Sequence, residues 1–156
     1  MEEVEKLIRD YLPGVVHMSL ATCMDNKPWV CELHLVYDED LNLYFLSKPS
    51  RRHSQEIAQN PNVAGNIVVQ HGLTDRPRGV YFEGTAEILA GITENSDAYK
   101  LYNTRFGLSD RMLNEIKNDE SGHKFYKITP SSFVLFDTVN FPEDSRQEWR
   151  PKTSVK

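Results

Sequence analysis

The sequence predicts a mainly β, α+β domain in which five to seven short strands form a barrel or sandwich with short helices on its flanks. Three observations carry this. Apolar residues alternate with period two through the middle of the chain, and turn residues punctuate that alternation at short intervals. Helical spacing is confined to brief stretches at the start and after residues 50 and 93. At 156 residues, 39% hydrophobic and 26% charged, the chain has the composition of one globular domain with one sizeable core. No internal repeat or low-complexity linker divides it. We expect a domain over residues 1–141 and, apart from Trp149, a polar, mobile tail over 142–156.

Val4, Leu7, Ile8, Tyr11 and Leu12 recur at helical spacing, and Pro13-Gly14 ends that helix. Val15 to Thr22 reads as a strand, followed by a turn at Asp25-Asn26-Lys27. Trp29 to Tyr37 reads as one strand with two unlike sides. Trp29, Cys31, Leu33, Leu35 and Tyr37 share one face, and Glu32 and His34 the other. Asp38-Glu39-Asp40 turns the chain into a third strand, Leu41 to Leu46. Ser50 is a natural N-cap for a helix that carries Ile57 and Ala58 and closes at Asn60-Pro61. Val63 to Val69 and Gly79 to Leu89 read as strands, and Thr93 to Phe106 as a helix. A short helix follows at Met112, Leu113 and Ile116, then two closing strands, Phe125 to Ile128 and Phe133 to Val139.

A net charge of -5 argues against a nucleic-acid partner, which demands a cationic surface. No stretch approaches the ~20 apolar residues of a membrane span. The first twelve residues lack the cationic start and apolar run of a secretion signal, so a cytoplasmic location is expected. Cys23 and Cys31 fit small buried thiols of a reducing compartment better than a disulfide, although a disulfide is conceivable. No metal-ligand spacing is present.

One segment carries chemistry. Lys48, Arg51, Arg52 and His53 place four potential cations within six residues of an acidic chain, at the mouth of a predicted helix. A helix N-terminus already bears positive partial charge, so cations there are disfavoured by about 0.3–1 kcal/mol each. A bound anion reverses the sign, because free backbone N–H groups, the Ser50 hydroxyl and the arginine forks together suit a phosphate. The plainer alternative is a solvated basic turn paired with Glu56 or with Asp38, Glu39 and Asp40.

Several blocks in order resemble the pyridoxamine-phosphate-oxidase-like, FMN-binding split-barrel superfamily. They are Met18-Ser19-Leu20-Ala21-Thr22, the strand Trp29 to Tyr37, Leu43 to His53, Asn60-Pro61, and Arg78-Gly79-Val80-Tyr81-Phe82-Glu83-Gly84. Ala98-Tyr99, Tyr102 to Phe106 and Phe136-Asp137 are similar to the uncharacterised YhbP-type branch. The resemblance implies a Greek-key-like split β-barrel that binds FMN as a homodimer. It implies phosphate ligands at Ser47, Ser50, Arg51 and Arg52, and an isoalloxazine along the strand Trp29 to Leu35, beside Glu32, Leu33 and His34. Arg78 would reach the flavin from the partner, and Trp149 would close over the ring. Each residue also has a structural reading: Ser47 as a strand end, Trp29 as an edge aromatic, Arg78 as half of an ion pair with a surface carboxylate. Apolar Val63, Ile67, Val80 and Phe82 exceed what one small barrel need bury, which also points to a dimer.

True pyridoxamine-phosphate oxidases carry basic residues where this strand has Glu32 and His34, so the vitamin-substrate site looks lost. The implied activity is an FMN-dependent oxidoreductase acting on a small molecule. The alternatives are a flavin carrier or sensor, or a haem- or deazaflavin-binding barrel. No catalytic residue stands out, since His34 fits a general acid or base and a structural role alike. An axial haem ligand would have to come from His17, His34, His53, His71 or His123.

Overall fold

The computed structural model describes residues 1–120 and 122–152. Helix α1 (Glu3–Tyr11) buries Ile8 and Tyr11 and ends in a 3-10 turn, Leu12–Gly14, where Pro13 cannot continue the ladder. Strands β1 (His17–Met24) and β2 (Lys27–His34) form a hairpin. Its two turn residues, Asp25 and Asn26, have φ of 52° and 58°, the left-handed conformation that a tight hairpin needs and Asp and Asn tolerate. After β3 (Val36–Tyr37) and β4 (Leu43–Ser47) comes α2 (Arg52–Gln59), then β5 (Asn62–Ile67) and β6 (Arg78–Ile88). Helices α3 (Asp97–Phe106) and α4 (Asp110–Lys117) precede β7 (Lys124–Asp137) and β8 (Arg146–Trp149).

All eight strands join one antiparallel sheet in the order β2-β1-β5-β6-β7-β4-β3, with β8 added to β7. Strands β2 and β3 sit at opposite edges yet are separated only by Leu35. That residue is fully buried and donates its N–H to Val16 O at 3.0 Å. The sheet must therefore curl until its edges meet, which makes a half-barrel and fixes the inside. Leu20, Leu35, Leu43, Phe45, Ile67, Val80, Ile128, Phe133 and Leu135 fill it with no exposed surface. A second cluster joins Val36, Tyr44 and Phe125 to the inner faces of α3 and α4.

Several sequence expectations change in three dimensions. Trp29 to Tyr37 is two strands, because the chain crosses between sheet edges at Leu35. The two closing strands are one, β7, which pairs β6 along its length. Its first half also pairs β4 and its second half β8. Pro130 sits between those two pairings, at the register shift beside Gly84, where a missing N–H costs least. The helix expected from Thr93 begins at Asp97. Arg51, not Ser50, is the N-cap of α2. The segment from residue 142 is not a free tail: β8 pairs β7, and Trp149 is buried with its ring 5.7 Å from that of Phe133. Residues 153–156 of the expected tail lie outside the described residues. Cys23 and Cys31 are free and half-buried; β1–β2 register pairs Leu20 with Cys31 and Cys23 with Pro28, so they are not cross-strand partners. Finally, Val63, Ile67, Val80 and Phe82 all lie in the core, so they leave no surplus apolar surface.

Candidate functional site

The β4–α2 turn gathers the basic residues. Ser47 ends β4, and a backbone bond from Arg51 N–H to Lys48 O (3.0 Å) closes the turn. No side chain caps α2, so the N–H groups of its first turn stay available at the positive end of the helix. Ser50, Arg51 and Arg52 are exposed there. Among the described residues, Lys48 and Arg51 meet no carboxylate. Ser47 differs: it is buried, and its hydroxyl bonds His53 Nε2 at 2.7 Å, so it braces the turn from beneath. Burial, then the neighbouring Arg51, holds the His53 imidazole below its ordinary pKa despite the opposing Glu56.

The pairing alternative holds for Arg52 alone. Its Nε donates to Glu56 Oε1 at 2.8 Å, and its guanidinium carbon lies 4.3 Å from the Trp29 ring centre. Glu56 is 2% exposed, and its other oxygen accepts the Thr22 hydroxyl at 2.5 Å. The Thr22 and Arg52 hydrogen bonds hold its carboxyl below the usual range against the effect of burial. Asp38 is occupied elsewhere, accepting from the Asn42 backbone and side chain and from the Tyr44 hydroxyl. Thr22 and Trp29 face each other across β1 and β2, so the turn stands over the Trp29 end of β2.

From Trp29 to His34 is five residues, roughly 17 Å of strand. Glu32 takes the Ser19 hydroxyl of β1, and Leu33 packs half-buried against the core. His34 is stacked on Phe106 of α3 (4.4 Å between centroids) and lies 5.0 Å from the His17 ring. The Tyr102 hydroxyl stands 3.4 Å from His34 Nδ1. Burial, then His17, lowers the His34 pKa, and burial raises that of Tyr102. Sequence reading isolated His34 but missed Tyr102 and Phe106 as its partners. Their spacing of four marks one face of α3, but nothing in it says which strand that face meets. This end of the sheet can hold and orient a neutral imidazole.

Arg78 and Trp149 lie elsewhere. Arg78 Nη2 meets Asp137 Oδ2 at 3.0 Å, the carboxylate being fully buried rather than on the surface. Burial alone would raise the Asp137 carboxyl, but hydrogen bonds from Asn140 and Val139 outweigh it and hold the pKa low. On β7, Lys124 pairs Ser47 and Asp137 pairs Arg78, thirteen residues apart along the strand. Among the described residues, no contact joins Arg78, which meets Asp137 and Tyr11, or Trp149, opposite Phe133, to the β4–α2 turn. Among the described residues, no three metal-ligating side chains converge and no helix is long and apolar enough to cross a membrane.

The outer face of the sheet is the remaining broad surface. Register aligns Glu32, Ser19, Asn66, Tyr81 and Val134 in one row across β2, β1, β5, β6 and β7, and Val30, Ala21, Ala64, Glu83 and Ser132 in the next. Val30 (60% exposed) and Tyr81 (40%) stand on it, among small Ala21, Ala64 and Ser132 and acidic Glu32 and Glu83.

Comparison with known proteins agrees with this architecture. The chain is 27% identical over 101 residues to a UPF0306 protein of Yersinia pseudotuberculosis, covering 64% of this chain and 68% of the relative. A UPF0306 protein of Yersinia pestis matches to the same extent. Among solved structures, a heme binding protein of Mycobacterium smegmatis superposes with TM-score 0.76 at 14% identity, over 97% of this chain and 59% of the other. General Stress Protein 26 of Bacillus anthracis gives TM-score 0.64 at 17% identity, over 96% and 99%. At such identities these structures share the fold. The family model described as pyridoxamine 5'-phosphate oxidase matches residues 4–135, which takes in β1 to β6, the basic turn and nearly all of β7, and the chain belongs to that family.

Proposed function

We propose that the protein binds FMN and acts as a flavin-dependent oxidoreductase on a small molecule. The single observation that carries this reading is the β4–α2 turn. There Lys48, Arg51 and Arg52 lie at an uncapped helix N-terminus, with Ser50 exposed beside them and the Arg52 Nη groups unbonded among the described residues. Ion pairing accounts for Arg52 alone, and among the described residues Lys48 and Arg51 have no acid. The arrangement fits a phosphate monoester, held by Ser50, Arg51 and Arg52 with Lys48 adjacent. The length of β2 beyond Trp29 suits a flat ring joined to that phosphate by a short chain, resting near Glu32, Leu33 and His34. FMN, when bound, would supply hydride or electron transfer. The chain's own residues anchor the phosphate, shape the floor along β2 and hold the His34 imidazole neutral at its end.

The same reading assigns the outer sheet face, with Val30 and Tyr81, to a second copy of the chain, since closed two-fold dimers are the commonest assembly. Arg78 would then approach the flavin from the partner, as the family resemblance implies. Glu32 in place of a base would set a like charge against a phosphorylated substrate, so efficient oxidation of pyridoxamine phosphate is not expected.

Absorption and titration of purified protein test the reading. A flavin spectrum, with FMN bound far more tightly than riboflavin, is the expected outcome. A Soret band, or equal affinity for the two flavins, would refute it. Turnover of a nicotinamide cofactor by the loaded protein separates an enzyme from a carrier.

A further inference from the structure

We propose that Glu56 is a positioning residue for the phosphate site: with Trp29 it fixes the Arg52 guanidinium and leaves both Nη groups to the anion. The inference rests on the phosphate reading above and adds to it a residue outside the contact set.

Glu56 is an unusual residue to find where it is. It is almost fully buried on α2 at a position where an apolar side chain would extend the core. A carboxylate out of water is costly unless both oxygens are satisfied. Here they are, and by different elements: β1 supplies the Thr22 hydroxyl to Oε2, and the first turn of α2 supplies Arg52 Nε to Oε1. The pair is therefore not an ordinary surface i,i+4 contact, because the acid is itself anchored to the sheet. Trp29, from β2, supports one face of the guanidinium at 4.3 Å.

An arginine held by Nε and by one face has lost most of its rotamer freedom before any ligand arrives. Its two Nη groups make no hydrogen bond among the described residues. The geometry is that of a preset fork, and the entropy a free arginine would lose on binding has already been lost on folding. The charges agree as well. Among the described residues, Glu56 is the carboxylate paired with Lys48, Arg51 or Arg52, and it offsets one of their three charges, while burial and Arg51 disfavour charge on His53. The excess of two positive charges matches a phosphomonoester dianion.

The test compares FMN with riboflavin on wild type, Glu56→Gln, Trp29→Leu, Trp29→Phe and Arg51→Ala. Glu56→Gln keeps volume but loses the charge that fixes Arg52. It should weaken FMN about tenfold and leave riboflavin affinity unchanged. Inorganic phosphate, used as a competitor, should lose potency in parallel. Trp29→Leu should act in the same direction and Trp29→Phe less, and these carry the test if Glu56→Gln does not fold. A merely structural role would weaken both flavins together, and that result overturns the proposal. So does a Glu56→Gln protein that binds FMN as tightly as wild type or tighter while Arg51→Ala weakens it. If wild type itself does not prefer FMN, or Arg51→Ala leaves the preference intact, the phosphate reading fails and this proposal with it.

Discussion

Replacing Arg51 and Arg52 separately should have different consequences, and the difference follows from what each side chain touches. Arg51 is exposed and pairs with no carboxylate among the described residues. Arg51→Ala therefore removes one charge-assisted hydrogen bond to the phosphate, worth about 1.5–3 kcal/mol, and disturbs little else. At about 1.4 kcal/mol per decade, FMN affinity should fall roughly 10–150-fold. Stability should stay within about 0.5 kcal/mol of wild type. Arg52→Ala should lose comparable affinity and also leave Glu56 buried with only Thr22 as partner. An acceptor left short of a donor costs about 1–3 kcal/mol, so this variant should unfold at lower urea as well. Calorimetric titration with FMN and riboflavin, alongside urea unfolding of the apoprotein, reads both quantities. The reasoning is refuted if Arg51→Ala binds FMN as wild type does, or if Arg52→Ala loses affinity with no loss of stability.

Three further outcomes are expected. His34 and His53 both have lowered pKa values in the folded protein, so below about pH 6.5 the unfolded chain binds more protons. Stability should be fully present above that pH and fall as the pH drops toward 5; the urea midpoint at pH 7.5 and 5.5 measures it, and His53→Gln should flatten the decline. Gly84→Ala would place a Cβ 2.3 Å from Thr129 O and 2.8 Å from Pro130 Cα at the β6–β7 bulge. Backbone must shift to admit it, at a cost of about 1–3 kcal/mol or more, visible as a lower melting temperature. Trp149→Ala should cost about 3–5 kcal/mol in the same assay, whereas a removable tail would lose almost nothing.

Local chemistry was legible in the sequence. Period-two alternation located the strands other than β8, Pro13 and Asn60-Pro61 ended helices, and Asp25-Asn26 supplied a hairpin turn, because each depends on the backbone of only a few residues. The basic cluster before α2 was legible for the same reason: charge and the start of a helix are both local. Family resemblance added the split barrel. What the sequence could not determine is which faces meet. Only the curl of the sheet splits Trp29 to Tyr37 between two edges, joins residues 124–137 into one strand and makes Trp149 part of the core. Contacts between residues distant in sequence decide the site in the same way. Glu56 meets Thr22 and Arg52 meets Trp29 across more than twenty residues, and Phe106 meets His34 across more than seventy. Propensity and periodicity say that a side chain faces inward; the side chain it meets there is chosen by the packing of the whole barrel.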